Sequence, residues 1–353
     1  IITTVAYGDA VSNDCIAIHK TLKAWGYETG IYAEHIDPRL PRDLVCGISE
    51  VPRLEARDVI LYHLSTGTLL NFQLEKYPGH KVIIYHNITD PRFFEPYDQT
   101  ACGLCANGLE GAAYLAKCAE YCLADSEFNK EDLIRLGYTC PIDVLPILIP
   151  FEDYQTAPDQ AVLSRYQDGL TNILFTGRIA PNKKHEDLIR SYYEYRKLNP
   201  ASRLILVGSY GDQDFYAAKL KAYVSALGLD DSVIFTGHIS FRSILAFYHA
   251  ADIFWCLSEH EGFCVPLTEA MFFKIPIVAY DCCAVPGTLG GSGALLPDKD
   301  PRLVAAVTDR ILKEEELRRQ LVEKQSRRLE DFSYPVIRDM LKKYLEAFLR
   351  KIA

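Results

Sequence analysis

Short apolar runs alternate with amphipathic stretches along the first half of the chain. The predicted strands of this half are Ile2–Tyr7, Thr29–Ala33, Val59–His63, Lys81–His86, Tyr121–Ala124 and Ile142–Leu145. Between them, apolar residues recur at the three- and four-residue spacing of helices, at Asn13–Trp25, Leu109–Ala119 and Lys130–Leu136. Strands that alternate with helices are typical of a parallel sheet covered on both faces.

The same alternation starts again in the second half. The predicted strands are Asn172–Phe175, Arg203–Val207, Val233–Phe235, Ile253–Cys256 and Ile277–Tyr280. The predicted helices are His185–Lys197, Phe215–Leu227, Ser243–Ala250, Leu267–Phe273 and Leu303–Leu312, followed by a charged helix at Lys313–Leu329 and a last one at Tyr334–Leu349. The two halves therefore repeat one architecture without repeating a sequence.

This pattern predicts an α/β protein of two domains. We place the first domain at 1–150, a linker rich in polar residues at 151–168, and the second domain at 169–330. A final helical segment, 331–353, has an apolar face that must pack on one of the domains. Packing on the first domain is one of the two options.

Composition narrows the class of protein. Of the 353 residues, 49% are hydrophobic and 24% are charged, which excludes a disordered chain. No apolar run of about eighteen residues predicts a membrane span, and the start of the chain lacks the pattern of a signal peptide. With eleven cysteines and no signal-peptide pattern, we expect reduced thiols in a cytoplasmic protein. Cys102-x2-Cys105 and Cys118-x3-Cys122 have a spacing that a zinc site could use, but Cys118 and Cys122 lie one turn apart on a helical pattern without a nearby His, so we expect no metal site.

The charge is unevenly distributed. Residues 1–150 hold 12 Lys and Arg against 20 Asp and Glu, a net charge of −8, whereas residues 151–353 hold 26 against 27. Neither half has the basic stripe of a nucleic-acid-binding protein, so we expect no nucleic-acid partner.

Polar residues and glycines collect where the predicted strands end, which is where open parallel sheets bind ligands. Because both predicted domains share this feature, we expect one ligand in a cleft between them. These positions include Gly8, Asp9 and His86 in the first half, and Gly177, Gly208, Ser209, Tyr210, His238 and Ile239 in the second. His86 by itself is more typical of a structural hydrogen-bond donor than of a catalytic group.

Two further segments suggest specific chemistry. Arg178 and Lys183 lie between a predicted strand and a helix, where cations oppose the helix dipole, so binding of a diphosphate explains them better than helix stability does. Glu261 and Glu269 flank the predicted start of another helix, which places Glu269 in its first turn. Their carboxylates suit sugar hydroxyl groups, although capping of the helix is the simpler explanation of the pair alone.

At these residues the sequence resembles the retaining glycosyltransferases of family GT4, which have a GT-B fold of two Rossmann-like domains facing each other across a cleft. Glu261 and Glu269 match the E-x7-E motif of that family, and Gly177, Arg178 and Lys183 match its diphosphate-binding motif. The string Tyr85–Thr89 is similar to bacterial members that build O-antigen or capsular polysaccharide. Three features depart from the family pattern: Lys184 replaces a usual Gly, Pro146–Leu148 replaces the hinge Pro-Asn-Gly, and Gly287 replaces a frequent Glu.

The resemblance implies a role for each matching position. Arg178 and Lys183 would neutralise the leaving diphosphate, Glu261 would bind the donor sugar, and His86 would lie beside that sugar. Glu269 would bind the ribose, and the Gly8–Asp9 loop would approach the diphosphate or the acceptor. The remaining donor-binding positions would be Gly177, Gly262, Phe263, Cys264 and Val265 near the phosphates and sugar, and Gly208, Ser209, Tyr210, His238 and Ile239 around the base.

We therefore expect a retaining, metal-independent glycosyltransferase that needs no cofactor beyond its nucleotide-sugar co-substrate. GDP-mannose is the expected donor, and a glycan or polyprenyl-linked acceptor of surface polysaccharide synthesis is the expected partner. Contact with a membrane would be peripheral at most.

The alternatives to this function are a nucleotide-sugar epimerase of the same fold and a non-catalytic nucleotide-sugar-binding protein. A dinucleotide oxidoreductase is disfavoured, because no G-x-G-x-x-G follows the first strand.

Overall fold

The computed structural model describes residues 1–41, 43–211 and 214–352. It divides into two units. The first unit comprises Ile1–Arg92, Gln99–Pro150 and the segment that starts at Asp331. The second comprises Phe93–Asp98 and Phe151–Glu330.

A parallel sheet of seven strands forms the centre of the first unit, in the order β3-β2-β1-β4-β5-β6-β7. Its strands are β1 (Ile2–Val5), β2 (Tyr32–Ile36), β3 (Cys46–Gly47), β4 (Val59–Leu64), β5 (His80–Tyr85), β6 (Tyr121–Ala124) and β7 (Ile142–Val144). The central strands β5 and β6 are almost wholly apolar and buried, as expected for a sheet covered on both faces.

Helices cover both faces of this sheet. They are α1 (Ala10–Ala24), α2 (Gln99–Leu115), α3 (Glu127–Arg135) and, from the end of the chain, α12 (Tyr334–Ile352). The apolar residues Ile337, Leu341 and Leu345 of α12 share one core cluster with residues of α1 and β5. The last helix is therefore part of the first unit.

The second unit has a six-stranded parallel sheet in the order β10-β9-β8-β11-β12-β13. Its strands are β8 (Thr171–Thr176), β9 (Ser202–Val207), β10 (Val233–Phe235), β11 (Ile253–Cys256), β12 (Ile277–Tyr280) and β13 (Ala294–Leu296). This is the 3-2-1-4-5-6 order of the Rossmann fold, in which the strand order reverses between the first and fourth strands, here β8 and β11.

Eight helices of the described residues surround the second sheet. They are α4 (Gln160–Tyr166), α5 (His185–Leu198), α6 (Phe215–Ala226), α7 (Phe241–Ala250), α8 (Val265–Phe272), α9 (Val285–Leu289), α10 (Pro301–Lys313) and α11 (Glu315–Glu330). Two apolar clusters, one on each face of the sheet, form the core. In the part of the chain that the structure describes, no helix has both the length and the apolar character needed to cross a bilayer.

The α/β class predicted from the sequence is confirmed, and the differences are local. The sequence prediction missed the edge strands β3 and β13, which have two and three residues. The strand predicted at Thr29–Ala33 begins three residues later, at Tyr32. Residues 151–168, which the sequence marks as a linker, contain a 3-10 turn at Phe151–Gln155 and the helix α4.

Candidate active site

Three glycine-containing loops come together at the carboxyl ends of β8, β9 and β10. A Cβ atom on Gly208 would lie 1.9 Å from the carbonyl oxygen of Gly177, so only glycine permits this approach. The N–H of Ile179 donates to the carbonyl oxygen of Ser209 at 3.1 Å, and Gly208 forms a β-bridge with Gly237. The predicted residues Gly177, Gly208 and Ser209 are thus neighbours. The half-buried Tyr210 follows Ser209, and His238 and Ile239 follow Gly237 on the third loop.

Arg178 follows Gly177 directly and its side chain is exposed. Its guanidinium has no hydrogen bond or ion pair with the described residues. An unpaired Arg beside two tight glycine turns has all its donors available for an anionic ligand.

Lys183 ends a 3-10 turn, Pro181–Lys183, and forms an ion pair with Glu261. Its ammonium lies 2.7 Å from both carboxylate oxygens of Glu261. Burial alone would lower the pKa of Lys183, but the adjacent Glu261 carboxylate outweighs it and raises that pKa. The β8 and β11 loops are also joined through Asn182, whose carbonyl oxygen accepts from the N–H of Glu259 at 2.9 Å. Two residues predicted to bind the donor are therefore partners of each other in this structure.

The segment after Glu261 turns sharply into α8. Cys264 has a left-handed backbone, with φ 70° and ψ 67°, and caps the helix that starts at Val265. Phe263 is buried, whereas Gly262 is half-buried. The first N–H groups of a helix have no partner within it, so this turn presents donors suited to an anion.

Glu269 lies in the second turn of α8, so its predicted place in the first turn is wrong. The helix begins at Val265, two residues before its predicted start at Leu267, and no acidic residue falls in its first turn. Two tyrosines hold the carboxylate of Glu269: Tyr154 donates to Oε1 at 2.6 Å, and Tyr248 donates to Oε2. Burial raises the pKa of Glu269, and the two hydroxyl donors act against this rise.

Sequence reasoning missed both tyrosines, for different reasons. Tyr154 lies in the segment predicted as a linker. Tyr248 lies on the buried face of α7, where the sequence pattern predicts that an aromatic residue packs in the hydrophobic core. The hydroxyl of Tyr248 also pairs with Thr176 Oγ1 at 2.6 Å, which ties Glu269 to the end of β8.

In the first unit, the Gly8–Asp9 loop joins β1 to α1. Gly8 has a positive φ of 79°, and Asp9 caps the helix by accepting from the N–H and the hydroxyl of Ser12, at 2.9 and 2.8 Å. Both loop residues are exposed.

His86 follows β5, and its side chain is fully buried. Nδ1 lies 2.9 Å from Asp125 Oδ2, and Nε2 lies 2.8 Å from His63 Nδ1. Both ring nitrogens of His86 are therefore bonded to side chains of the same unit, and its imidazole is not open to a ligand. The sequence marks His63 and Asp125 as strand-end residues but gives no signal that they meet His86.

Comparison with known proteins shows which family the second unit resembles. Residues 164–328 match the family model described as glycosyl transferases group 1. A D-inositol 3-phosphate glycosyltransferase of Kineococcus radiotolerans is 27% identical over 250 residues, which cover 65% of this chain and 57% of that relative. An O-antigen chain mannosyltransferase B of Escherichia coli is 29% identical over 204 residues, 55% of this chain and 51% of that relative. The chain thus spans little more than half the length of these relatives.

A solved structure supports the fold over nearly the whole chain. The Anabaena protein HepE in complex with UDP-glucose superposes with a TM-score of 0.75 at 18% identity, covering 98% of this chain and 99% of that one. The fold is therefore GT-B, with two Rossmann-like units. Residues 164–328 thus resemble the glycosyl transferases of group 1.

Proposed function

We propose that this chain is a retaining glycosyltransferase that moves a sugar from a nucleotide sugar to a glycan or glycolipid acceptor. The observation that carries the proposal is the arrangement at the strand ends of the second unit. There, the unpaired Arg178, the Lys183–Glu261 pair and the start of α8 are joined by direct contacts of their loops.

The chemistry follows from charge. As the bond between the sugar and the diphosphate breaks, negative charge gathers on the leaving oxygens, and fixed cations stabilise it more than water does. Arg178 and Lys183 would supply that positive charge, with no metal ion or other cofactor assigned to the step. Donor binding would redirect Lys183 to the diphosphate and leave the Glu261 carboxylate to accept from sugar hydroxyl groups.

Transfer would retain the configuration of the sugar. The new bond to the acceptor oxygen would form on the face from which the diphosphate leaves, and the acceptor proton would pass to the leaving phosphate. This route requires no nucleophile from the protein, which fits the hydrogen-bonded state of Glu269.

We propose GDP-mannose as the donor and surface polysaccharide as the product. Support comes from the likeness to an O-antigen chain mannosyltransferase. The structure of HepE was solved with UDP-glucose, so a UDP-sugar is the competing donor.

We propose a cytoplasmic location, with peripheral membrane contact at most. The eleven cysteines are free thiols, as expected in a reducing compartment.

The donor can be identified by thermal unfolding in the presence of GDP-mannose, UDP-glucose and a dTDP-sugar. A donor at about 100 times its Kd stabilises the protein by about 2.7 kcal/mol. We expect GDP-mannose to raise the Tm of the wild type and of R338A, a control on the exposed face of α12, and to have little effect on R178A. If none of the nucleotide sugars raises the Tm of the wild type, the proposal is wrong.

Product analysis separates transfer from the two alternatives. An epimerase would convert the donor without an acceptor and without releasing nucleoside diphosphate. A binding protein would leave the donor intact.

A further inference from the structure

Two buried cysteines and a buried carboxylate meet in the loop that joins β11 to α8 in the second unit. Cys256 is the last residue of β11, Cys264 caps α8, and Glu261 lies between them along the chain. All three residues are buried. One ligand atom of each, two sulfurs and a carboxylate oxygen, lies within 4.8 Å of the other two. The proposed transfer chemistry uses the carboxylate of Glu261 but neither thiol.

The two sulfurs have the spacing of ligands on one metal ion. Cys256 Sγ and Cys264 Sγ are 3.7 Å apart. A tetrahedral zinc ion with Zn–S bonds of about 2.3 Å holds two sulfurs about 3.8 Å apart, and it holds a sulfur and a carboxylate oxygen about 3.6 Å apart. The thiol pair therefore needs almost no movement to bind such an ion, and the carboxylate needs a shift of at most roughly 1 Å.

The charged groups beside the thiols favour a cation. The ammonium of Lys183 lies 2.7 Å from both oxygens of Glu261, and it interacts electrostatically with Cys256 and Cys264 as well. Most buried cysteines pack as small apolar residues, whereas these two lie next to a carboxylate and an ammonium. This loop therefore already accommodates one positive charge. The Lys183 side chain is 22% exposed, which gives an ion a path from the surface.

Two other close thiol pairs do not offer a comparable site. Cys122 Sγ lies 3.5 Å from Cys140 Sγ, and Cys282 Sγ lies 3.2 Å from Cys283 Sγ. Among the residues that the structure describes, no third His, Cys, Asp or Glu ligand atom completes either pair within 4.8 Å. These pairs serve as controls below, because they match the thiols of the candidate site but lack its carboxylate.

We propose that Cys256, Cys264 and Glu261 form a binding site for a divalent transition-metal ion of the zinc class, and that the bound ion blocks the nucleotide-sugar site. Two thiolates, one carboxylate and one water molecule would give the four ligands that zinc prefers. Each ion that binds displaces the two thiol protons to solvent, and no electron is transferred. The ion takes no part in sugar transfer.

Inhibition follows from the shared carboxylate, and this part of the proposal rests on the transferase function proposed above. The metal ion and the hydroxyl groups of the donor sugar would both need the oxygens of Glu261. A bound ion would also add positive charge beside Lys183 and hold the loop in one arrangement. The ion and the nucleotide sugar should therefore exclude each other, and each should weaken the binding of the other by the same factor.

Metal binding can be measured on the full chain without turnover. Co²⁺ replaces Zn²⁺ in tetrahedral sites, and its bonds to thiolates absorb light strongly, so the reduced, chelator-treated protein is titrated with Co²⁺ in the absence of oxygen. We expect the thiolate absorption to saturate at one Co²⁺ per wild-type chain and to disappear when Zn²⁺ is added. C256S and C256A should lose this absorption, and C264S tests the second sulfur in the same way.

The control variants C140S and C282S break the two other thiol pairs and should keep the absorption of the wild type. Circular dichroism shows whether each variant is folded. Absence of the absorption in the wild type would overturn the site, as would wild-type absorption in a folded C256S or C256A.

Kinetics test whether the ion blocks the donor. At ten times its Kd, Zn²⁺ should raise the apparent KM for the nucleotide sugar about tenfold and leave kcat unchanged, and a chelator should reverse the effect. C256S should transfer sugar like the wild type but resist Zn²⁺. Equal inhibition of C256S and the wild type, or a fall in kcat at constant KM, would contradict the block. If the chain transfers no sugar, the proposed function fails, whereas the Co²⁺ titration still decides the metal site.

Discussion

At the scale of single residues, one departure from the GT4 pattern that this chain resembles has a physical cost in the backbone. Lys184 stands where the family has glycine, and its backbone is left-handed, with φ 54° and ψ 50°. Such a conformation costs a residue with a Cβ roughly 1–2 kcal/mol. The Lys184 ammonium lies 3.1 Å from Glu259 Oε2, a partly exposed ion pair that offsets only part of this cost.

Substitutions at Lys184 separate the backbone strain from the ion pair. K184A and K184G both remove the charge, but only K184G removes the Cβ. We expect the free energy of unfolding of K184G, measured by urea denaturation, to be about 1 kcal/mol higher than that of K184A. Equal stability of the two variants would show that the left-handed backbone carries no strain.

Asp14 gives the protein a pH-dependent stability. Burial is the main cause of the rise in its pKa from 3.8 to about 7. The folded state thus retains a proton that the unfolded chain releases, so this contribution is full below about pH 4 and is lost as the pH rises towards 7.

The variant D14N tests this linkage while an oxygen remains available for the N–H of Leu148. Between pH 4 and pH 7, the free energy of unfolding of D14N relative to the wild type should rise by on the order of 2–4 kcal/mol. Parallel stability profiles of the two proteins across this range would contradict a raised pKa for Asp14.

At the scale of elements, packing decides what the sequence pattern leaves open. The periodic apolar face of α12 predicts a packed helix, but only the structure shows that Ile337 and Leu341 join the core of the first unit. The sequence predicts α2 only from Leu109, because glycine lowers helix propensity. The helix extends from Gln99, and Gly108 and Gly111 sit so close to Gly67 and Asn71 that a Cβ at either position would clash.

The packing of α12 can be measured with two matched substitutions. Phe348 is buried and stacks on Tyr121 of β6, with ring centroids 5.4 Å apart and planes 9° apart. F348A should lower the free energy of unfolding by about 3–5 kcal/mol. The control V336A removes an exposed side chain of the same helix and should change it by less than about 0.5 kcal/mol. Similar effects of both variants would contradict the packing of α12 on this sheet.

The site divides in the same way between what sequence predicts and what it does not. Gly208 could be found from sequence because the close approach of strand-end loops demands glycine, and the Glu261–Glu269 pair could be found because its spacing matches the E-x7-E motif. The hydrogen bonds from Tyr154 and Tyr248 to Glu269 could not be predicted from sequence, because both tyrosines lie more than twenty positions away from Glu269. Tyr154 also lies in an irregular segment. The His63–His86 contact likewise depends on the pairing of β4 with β5.

At the scale of the whole molecule, the uneven charge bears on membrane contact. The first 150 residues carry a net charge of −8, so an anionic membrane surface should repel them. In sedimentation with vesicles of phosphatidylcholine and phosphatidylserine, we expect the bound fraction to match that with phosphatidylcholine alone. Strong binding to the anionic vesicles that salt reverses would contradict this expectation.

The central claim is that the second unit stabilises the leaving diphosphate through Arg178, and release of nucleoside diphosphate from a nucleotide sugar measures it most directly. In a wild-type preparation and in R338A, incubation with GDP-mannose or UDP-glucose should release the corresponding diphosphate. R178A should release it at a rate lower by a factor on the order of 100–1,000, the usual effect of removing one group that stabilises transition-state charge. An R178A rate equal to that of the wild type would contradict the account.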